Sequence, residues 1–197
     1  MKSYFQRGIE NYQNMIDDRT LMDSVESAVD IISHALAGTY PVLVCGNGGS
    51  ASDALHISGE LVGRFNLSRP ALNVICLNSN VTVMTAWAND VGYDSVFARQ
   101  VQAHGAQQGV LWGLSTSGSS PSVVQAFRAA AQLGMKTIAF TGQSGGELAE
   151  LADVLLNVPA DGAPQAQELH IPLYHFICAE VEKRLYASLD PENAPLG

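Results

Sequence analysis

The stretch Pro41-Val-Leu-Val-Cys-Gly46-Asn47-Gly48-Gly49-Ser50-Ala-Ser-Asp53-Ala-Leu-His56-Ile-Ser-Gly-Glu60 joins an apolar run, a glycine-rich turn and a helical pattern. The apolar run predicts a buried strand. The turn after it leaves the free N–H groups of the next helix pointing at a bound anion or polar ligand. Residues four apart lie on one helix face, so His56 and Glu60 project together. An imidazole and a carboxylate in one place are typical of a zinc site or of an acid/base pair.

Short β-branched runs recur along the chain and alternate with helical patterns. Because helical crossovers join parallel strands, this alternation predicts an α/β fold with a five-stranded parallel sheet flanked by helices. Two helices occupy 1–38, and 41–187 forms the α/β core with a long C-terminal helix. Nothing in 197 residues requires a second domain, so we expect 1–197 to be a single domain. The expected strands are 42–45, 72–77, 109–114, 136–140 and 154–158.

The overall charge restricts the class of partner. The chain has 10 Lys and Arg residues against 19 Asp and Glu residues, a formal net charge of −9, which argues against nucleic acid or an anionic membrane. No apolar leader segment and no run of about 20 apolar residues occurs, so we expect a cytoplasmic protein with no membrane partner. Three cysteines lie in apolar runs without CxxC spacing, which indicates core residues.

A serine-rich loop follows the third expected strand. It comprises Ser115-Thr116-Ser117-Gly118-Ser119-Ser120, and Pro121 then opens a helix. Hydroxyl groups and the N–H groups of the helix start converge there, as a phosphate site requires. A plain N-capping loop is the alternative interpretation, but one cap needs only one such side chain. The loop therefore predicts phosphate binding.

The segment Gly46-Asn-Gly-Gly-Ser-Ala51 also matches the dinucleotide fingerprint G-x-G-x-x-G/A. That fingerprint requires an acidic residue about 20 residues further on, at the end of the second strand, for the ribose. The second strand here ends in Leu77-Asn78-Ser79-Asn80 without a carboxylate. The sequence therefore argues against dinucleotide binding.

His56 and Glu60 alone are also compatible with a core histidine and a surface glutamate. A second polar cluster, Gln167-Glu168-Leu-His170 followed by His175, lies on the apolar C-terminal helix. A polar side chain that faces inward on such a helix needs a partner. Spacing leaves open whether His170 or His175 faces Glu60.

Five segments in order resemble the SIS (sugar isomerase) domain family, and within it the isomerases of phosphorylated heptoses. The resemblance covers nearly the whole chain, including the two N-terminal helices, and the ordered set is more specific than any one motif. The segments are GNGGSASDALHISGEL, TAWANDVGYDSVFARQV, STSGSSPSVVQAFRAA, GMKTIAFTG and AQELHIPLYH.

The resemblance implies a single SIS domain, a homotetramer with active sites between subunits, and one zinc ion per subunit. It implies that Glu60 and His175 transfer protons. The implied zinc ligands are His56, Glu60, Gln167 and His175. The implied substrate contacts are Asn47, Gly48, Gly49, Ser50, Arg64, Thr85, Asn89, Asp90, Ser115, Thr116, Ser117, Ser120 and Gln167.

The activity that the resemblance implies is aldose–ketose isomerisation of sedoheptulose 7-phosphate to D-glycero-D-manno-heptose 7-phosphate, for surface-glycan biosynthesis. One alternative is an isomerase of another sugar phosphate. Another is a non-catalytic SIS-domain protein, either a sugar-phosphate sensor or a relative of the bacterial replication-initiator-associating protein. That relative departs from the family at the positions of Glu60 and His175, and this chain keeps both, which favours the enzyme.

Overall fold

The computed structural model describes residues 1–160 and 162–187, so the last ten residues of the expected domain lie outside the described part. The strands are β1 (Val42–Gly46), β2 (Val74–Cys76), β3 (Val110–Leu114), β4 (Lys136–Thr141) and β5 (Val154–Asn157). The helices are α1 (Lys2–Asp17), α2 (Arg19–Ala37), α3 (Gly49–Val62), α4 (Val81–Asp90), α5 (Val96–His104), α6 (Pro121–Gln132), α7 (Leu148–Leu151) and α8 (Ala163–Tyr186).

The five strands form one parallel sheet in the order β2-β1-β3-β4-β5, which confirms the expected α/β fold. Every residue of β1 and β3 is buried because helices cover both faces. Alternate side chains of β1, such as Val44 and Cys45, enter two separate cores. The first core contains buried side chains of α2, α3 and α8, and the second those of α5 and α6.

β2 is shorter than the apolar run at 72–77 predicts. The N–H of Leu72 bonds to the carbonyl of Leu61, and the N–H of Val74 bonds back to the carbonyl of Leu72. Those bonds belong to the connection from α3 rather than to a ladder, so regular pairing begins only at Val74. At the other end, the N–H of Leu77 still bonds to the carbonyl of Val44.

The two N-terminal helices differ in how far they enter the core. Helix α2 buries seven residues, whereas α1 buries only Met15. Asp18 separates the two helices and caps α2 by accepting a hydrogen bond from the N–H of Leu21 at 3.0 Å. Gly38 is the C-cap residue of α2, which agrees with the expected helical range 1–38. No helix in the described ranges is both long enough and apolar enough to span a membrane.

The chain adds strands to the two sides of β1 in opposite directions: β2 lies on one side, and β3, β4 and β5 follow on the other. Chain segments leaving the neighbouring strands β1 and β3 pass to opposite faces of the sheet, since α3 packs in the first core and α6 in the second. A crevice forms at such a point beyond the carboxyl ends of the strands, and ligands bind there in open α/β sheets. The glycine-rich turn at 46–50 and the serine loop at 115–120 lie on its two sides.

Candidate active site

Helix α3 packs beside α8, and this contact brings together three polar side chains: His56 and Glu60 from α3 and His175 from α8. The Nε2 atom of His56 is 2.9 Å from Glu60 Oε1 and 3.4 Å from His175 Nε2. One ligand atom from each residue lies within 4.8 Å of the other two. The side chain of His56 is 46% exposed and that of Glu60 is 22% exposed, so the cluster is open to solvent.

His170 is the histidine that does not join the cluster. It is fully buried, and its Nε2 lies 3.1 Å from the carbonyl oxygen of Thr141. Burial lowers the pKa of His170 to about 4. His175 instead packs under the ring of Phe65, with centroids 5.4 Å apart and an interplanar angle of 22°. Burial and then His56 lower the pKa of His175, whereas Glu60 acts in the opposite direction.

A hydroxyl group from the core orients His56. The Oη atom of Tyr174 is 2.9 Å from His56 Nδ1, and Tyr174 is almost fully buried. Burial and then the neighbouring Asp53 carboxyl raise the pKa of Tyr174, while burial raises the pKa of Asp53. Because Nδ1 is engaged by the hydroxyl, Nε2 is the ring atom that faces Glu60 and His175.

The cluster has the chemistry of a zinc site. Two imidazole nitrogens and one carboxylate are donors that Zn²⁺ prefers, and three protein ligands with one open position are typical of catalytic zinc. Donors about 2.0–2.2 Å from a tetrahedral ion lie about 3.3–3.6 Å apart, close to the separations of His56 from its two neighbours. The Tyr174 contact at Nδ1 is the outer hydrogen bond that ligating histidines usually have.

Gln167 lies on α8, as His175 does, but closer to the N-terminus of that helix. Its amide packs against Gly49, where even a Cβ atom would collide with it. Gln167 precedes His175 by eight residues, which is about 12 Å along an α-helix. The structure therefore brings this amide to the start of α3, next to the turn at 46–50, rather than into the His56–Glu60–His175 cluster.

The turn at 46–50 is held by side chains from both sides of the crevice. Asn47 donates from Nδ2 to Ser122 Oγ at 2.9 Å and accepts at Oδ1 from the Tyr93 hydroxyl at 2.6 Å. Asn78 bonds both the N–H and the carbonyl of Gly46. Gly48, the N-cap residue of α3, has a positive φ of 57°, a conformation that glycine adopts without strain.

The serine loop concentrates hydroxyl groups at the start of α6. Ser115 Oγ is 3.0 Å from Ser120 Oγ and 3.4 Å from Ser117 Oγ. Ser120 occupies the N-cap position, yet its hydroxyl makes no capping hydrogen bond. The capping interpretation of this loop therefore does not explain its serines. At the start of α6, Pro121 has no N–H and the N–H groups of Val123 and Val124 bond the carbonyl of Ser120, so the serine hydroxyl groups are the main donors that the loop offers to an anion.

Four further residues expected from the resemblance lie at the surface. Arg64 follows α3, and Thr85, Asn89 and Asp90 belong to α4, which buries none of its residues. The Thr85 hydroxyl bonds the carbonyl of Val81 in its own helix, and Asn89 donates to Asp90 at 2.8 Å. No hydrogen bond in the described ranges joins these four residues to the cluster.

Four residues that contact the site were not indicated by any motif in the sequence: Asp53, Tyr174, Tyr93 and Asn78. Asp53 precedes His56 by three residues, a spacing that makes their side chains neighbours on the helix surface. Tyr174 directly precedes His175. These spacings are the sequence features from which the roles of Asp53 and Tyr174 could have been predicted. The contacts of Tyr93 and Asn78 join distant parts of the chain, so no local pattern indicates them.

Comparison with known proteins identifies the family. Residues 3–142 match the model of the SIS domain. The chain is 44% identical to a phosphoheptose isomerase of Helicobacter pylori over 83% of this chain and 85% of that protein. It is 45% identical to one of Burkholderia pseudomallei over 87% of each. The structure of phosphoheptose isomerase GmhA from Neisseria gonorrhoeae superposes with a TM-score of 0.86, at 36% identity, over 92% of this chain and 96% of that one. The chain belongs to the SIS-domain family and, within it, to the phosphoheptose isomerases.

Proposed function

We propose that this protein interconverts sedoheptulose 7-phosphate and D-glycero-D-manno-heptose 7-phosphate, in the biosynthesis of a surface glycan. The observation that carries the proposal is the convergence of Glu60, His56 and His175 in a chain that belongs to the phosphoheptose isomerases. An aldose–ketose isomerisation moves one proton between C1 and C2, and it needs a base beside a group that protonates or polarises the neighbouring oxygen.

Glu60 is the proposed base, and it removes the carbon-bound proton to give an enediol or enediolate. Its carboxylate is partly shielded but still reached by solvent, as a base that touches substrate must be. His175 is the proposed partner that protonates or polarises the substrate oxygen. The lowered pKa of His175, caused first by burial, keeps this imidazole neutral near pH 7, so that it holds a lone pair for a proton or a metal.

The proposed cofactor is one zinc ion per subunit, held by His56, Glu60 and His175. When bound, zinc supplies a positive charge that stabilises the developing oxyanion of the substrate. The Tyr174 hydroxyl contacts His56 Nδ1, on the side of the ring that faces away from the cluster, and the Asp53 carboxyl lies beside both groups. The ligand role of Gln167 that the resemblance implies stays a prediction, since its amide lies about two helical turns away in the same chain.

The phosphate of the substrate is proposed to bind at the serine loop, Ser115 to Ser120, with the turn at 46–50 opposite. The Ser115 hydroxyl lies within hydrogen-bonding reach of the hydroxyl groups of Ser117 and Ser120, and the start of α6 has no side-chain cap; both observations support this proposal. Binding energy from a phosphate remote from the reacting carbons is available to orient the sugar. Arg64, Thr85, Asn89 and Asp90 are proposed to complete the pocket.

A homotetramer with sites between subunits is the proposed assembly. Apolar side chains close to the cluster residues along α3 and α8 are exposed in the single chain: Leu55 next to His56, Phe176 next to His175, and Ile171 one helical turn before His175. Exposed apolar side chains near a polar site are typical of a surface that a second protein copy covers. Helix α1 adds exposed apolar side chains at Phe5, Ile9 and Ile16.

The proposed compartment is the cytoplasm. Cys45, Cys76 and Cys178 are free and buried, which fits a reducing environment. The proposed ligand is a sugar phosphate rather than nucleic acid, because acidic residues outnumber basic ones nearly two to one.

A coupled isomerase assay tests the function. Purified protein is supplied with sedoheptulose 7-phosphate before chelation, after chelation and after return of zinc, and turnover is expected to disappear and then to recover. Pentose and hexulose phosphates are assayed in parallel. Faster turnover of one of these would indicate an isomerase of another sugar phosphate. Binding of sugar phosphate without turnover by the zinc-loaded protein would indicate a sensor or an assembly factor.

A further inference from the structure

Arg69 and Glu182 form an ion pair in the interior, away from solvent. Their side chains are 0% and 1% exposed, and Arg69 Nε donates to Glu182 Oε1 at 2.9 Å. Arg69 lies in 63–70, the first part of the segment that joins α3 to β2, which we call the 63–70 loop, and Glu182 lies near the end of α8. A buried ion pair is costly to desolvate unless further hydrogen bonds satisfy both groups.

Glu182 accepts hydrogen bonds from the backbone of the 63–70 loop. The N–H groups of Phe65, Asn66 and Leu67 lie 2.8, 2.7 and 3.1 Å from its carboxylate oxygens. With the bond from Arg69, the carboxylate accepts four hydrogen bonds. These bonds attach the loop to the face of α8 that also carries His175, since 175 and 182 are seven residues, or about two turns, apart.

Arg69 bonds two carbonyl groups at the end of α3 and one carbonyl group in its own loop. Nη2 donates to the carbonyl oxygen of Glu60 at 2.8 Å, and Nη1 donates to those of Gly63 and Pro70 at 3.2 and 3.0 Å. Helix-end carbonyls lack intrahelical partners, so these bonds fix the last turn of α3. The carboxylate of Glu60, on that same turn, reaches the cluster.

Phe65 connects the Arg69–Glu182 ion pair to His175. Its N–H is bonded to Glu182, and its ring stacks on the His175 imidazole. The pair therefore bonds the backbone of Glu60 on one side and holds the residue that packs on His175 on the other. Both proposed proton-transfer residues are attached to one buried pair.

We infer that Arg69 and Glu182 are positioning residues that set the separation between Glu60 and His175, and thereby the affinity of the cluster for zinc. This inference rests on the proposed function for its effect on turnover, but not for its effect on zinc binding. Removing the outer partners of metal ligands typically costs 10- to 100-fold in affinity or activity.

The test compares Glu182→Gln with Asp153→Asn. Asp153 is the matched control: its carboxylate also accepts a backbone N–H, that of Thr137, and pairs with a cation, Lys136. It lies beside the beginnings of β4 and β5, at the opposite edge of the sheet from the crevice. For each protein, zinc affinity is measured by calorimetry with Zn²⁺ on the metal-free chain, and the thermal midpoint, kcat and KM are measured alongside.

Glu182→Gln is expected to bind zinc at least ~10-fold more weakly and to lose at least ~10-fold in kcat, with KM within about twofold of wild type. Asp153→Asn is expected to lower the thermal midpoint while zinc affinity and kcat stay unchanged. Arg69→Lys keeps the positive charge but loses the planar set of donors, so it is expected to give the same pattern in milder form.

Unchanged zinc affinity in a folded Glu182→Gln variant would overturn the inference, because the pair would then stabilise the fold alone. Failure of both Glu182→Gln and Arg69→Lys to fold would overturn it in the same way. If the wild-type protein binds zinc but does not isomerise the heptose phosphate, the proposed function fails. The zinc affinities of the variants then decide the inference by themselves.

Discussion

The Tyr174 hydroxyl has a single proton, and both His56 Nδ1 and the Asp53 carboxyl lie beside it. If His56 held a metal at Nε2, Nδ1 would carry the ring proton and would donate it to the hydroxyl oxygen. The Tyr174 hydroxyl is therefore the partner of the His56 nitrogen that faces away from the cluster.

We predict that Tyr174→Phe weakens zinc binding by about 10- to 100-fold, because His56 Nδ1 then loses its partner and the ring its fixed orientation. Calorimetric titration of the metal-free protein with Zn²⁺ measures the effect. Tyr40→Phe is the control, since the Tyr40 hydroxyl also accepts one side-chain hydrogen bond, from Gln108, but lies at the start of β1. Equal zinc affinities in the two variants would contradict the role of Tyr174.

Glu60→Gln is predicted to lose at least ~10²-fold in kcat without unfolding, because the amide is not a base and the side chain is not part of the core. His175→Gln is expected to behave in the same way. His104→Gln, at the exposed end of α5, is the control and is expected to be nearly silent. Near wild-type turnover by Glu60→Gln would remove it from the mechanism.

The buried His170 predicts how stability depends on pH. Its pKa is lowered by burial to about 4 in the folded chain, so the unfolded chain binds this proton first as the pH falls. Protonation of His170 in the unfolded chain therefore lowers the free energy of unfolding by roughly 3 kcal/mol between pH 6.5 and about 4. Urea unfolding at both pH values is expected to show a smaller loss in His170→Gln than in wild type. An identical loss in both proteins would show that His170 does not contribute.

Spacing predicted which residue types form the cluster, but only the family resemblance indicated which histidine joins Glu60. The four-residue spacing placed His56 and Glu60 on one face, as observed. The choice between His170 and His175 depends on how α8 is rotated against the sheet, and both histidines lie on an apolar helix. Packing against α2 and α3 fixes that rotation, and no local sequence pattern indicates it.

The elements were predictable to within a few residues because their periodicities differ. Five β-branched runs and the intervening helical patterns gave all five strands and their parallel arrangement. The error at β2 arose because hydrogen bonds of the α3–β2 connection engage Leu72 before the ladder begins. The order of the strands in the sheet does not follow from periodicity, since it depends on which face each crossover takes.

The serine loop as an element carries a prediction about substrate binding. Replacing both Ser117 and Ser120 with alanine removes two hydroxyl donors, and hydrogen bonds to a charged group contribute about 1.5–3 kcal/mol each. KM is therefore expected to rise with little change in kcat. Ser27→Ala is the control, because the exposed Ser27 hydroxyl bonds only the carbonyl of Asp23 in α2. An unchanged KM, with inorganic phosphate failing to inhibit, would exclude phosphate binding by this loop.

The whole molecule leaves apolar side chains uncovered on α1, α3 and α8, and these indicate assembly. We predict a mass near four chains by light scattering. Ile9→Glu places a charge on the exposed apolar face of α1 and is expected to yield smaller species with lower activity. Gln107→Glu adds a charge to a polar exposed position and is the control. A monomer with full turnover would contradict a site shared between subunits.

Helix α8 meets three partners at fixed intervals. Gln167 lies against Gly49, His175 faces His56, and Glu182 holds the 63–70 loop. One inserted residue rotates everything beyond it by about 100° and shifts it by about 1.5 Å, so it would misplace at least one of the three contacts. Natural variants of this protein are therefore expected to differ within 167–182 by substitution alone, and to gain or lose residues only in the connections outside that segment.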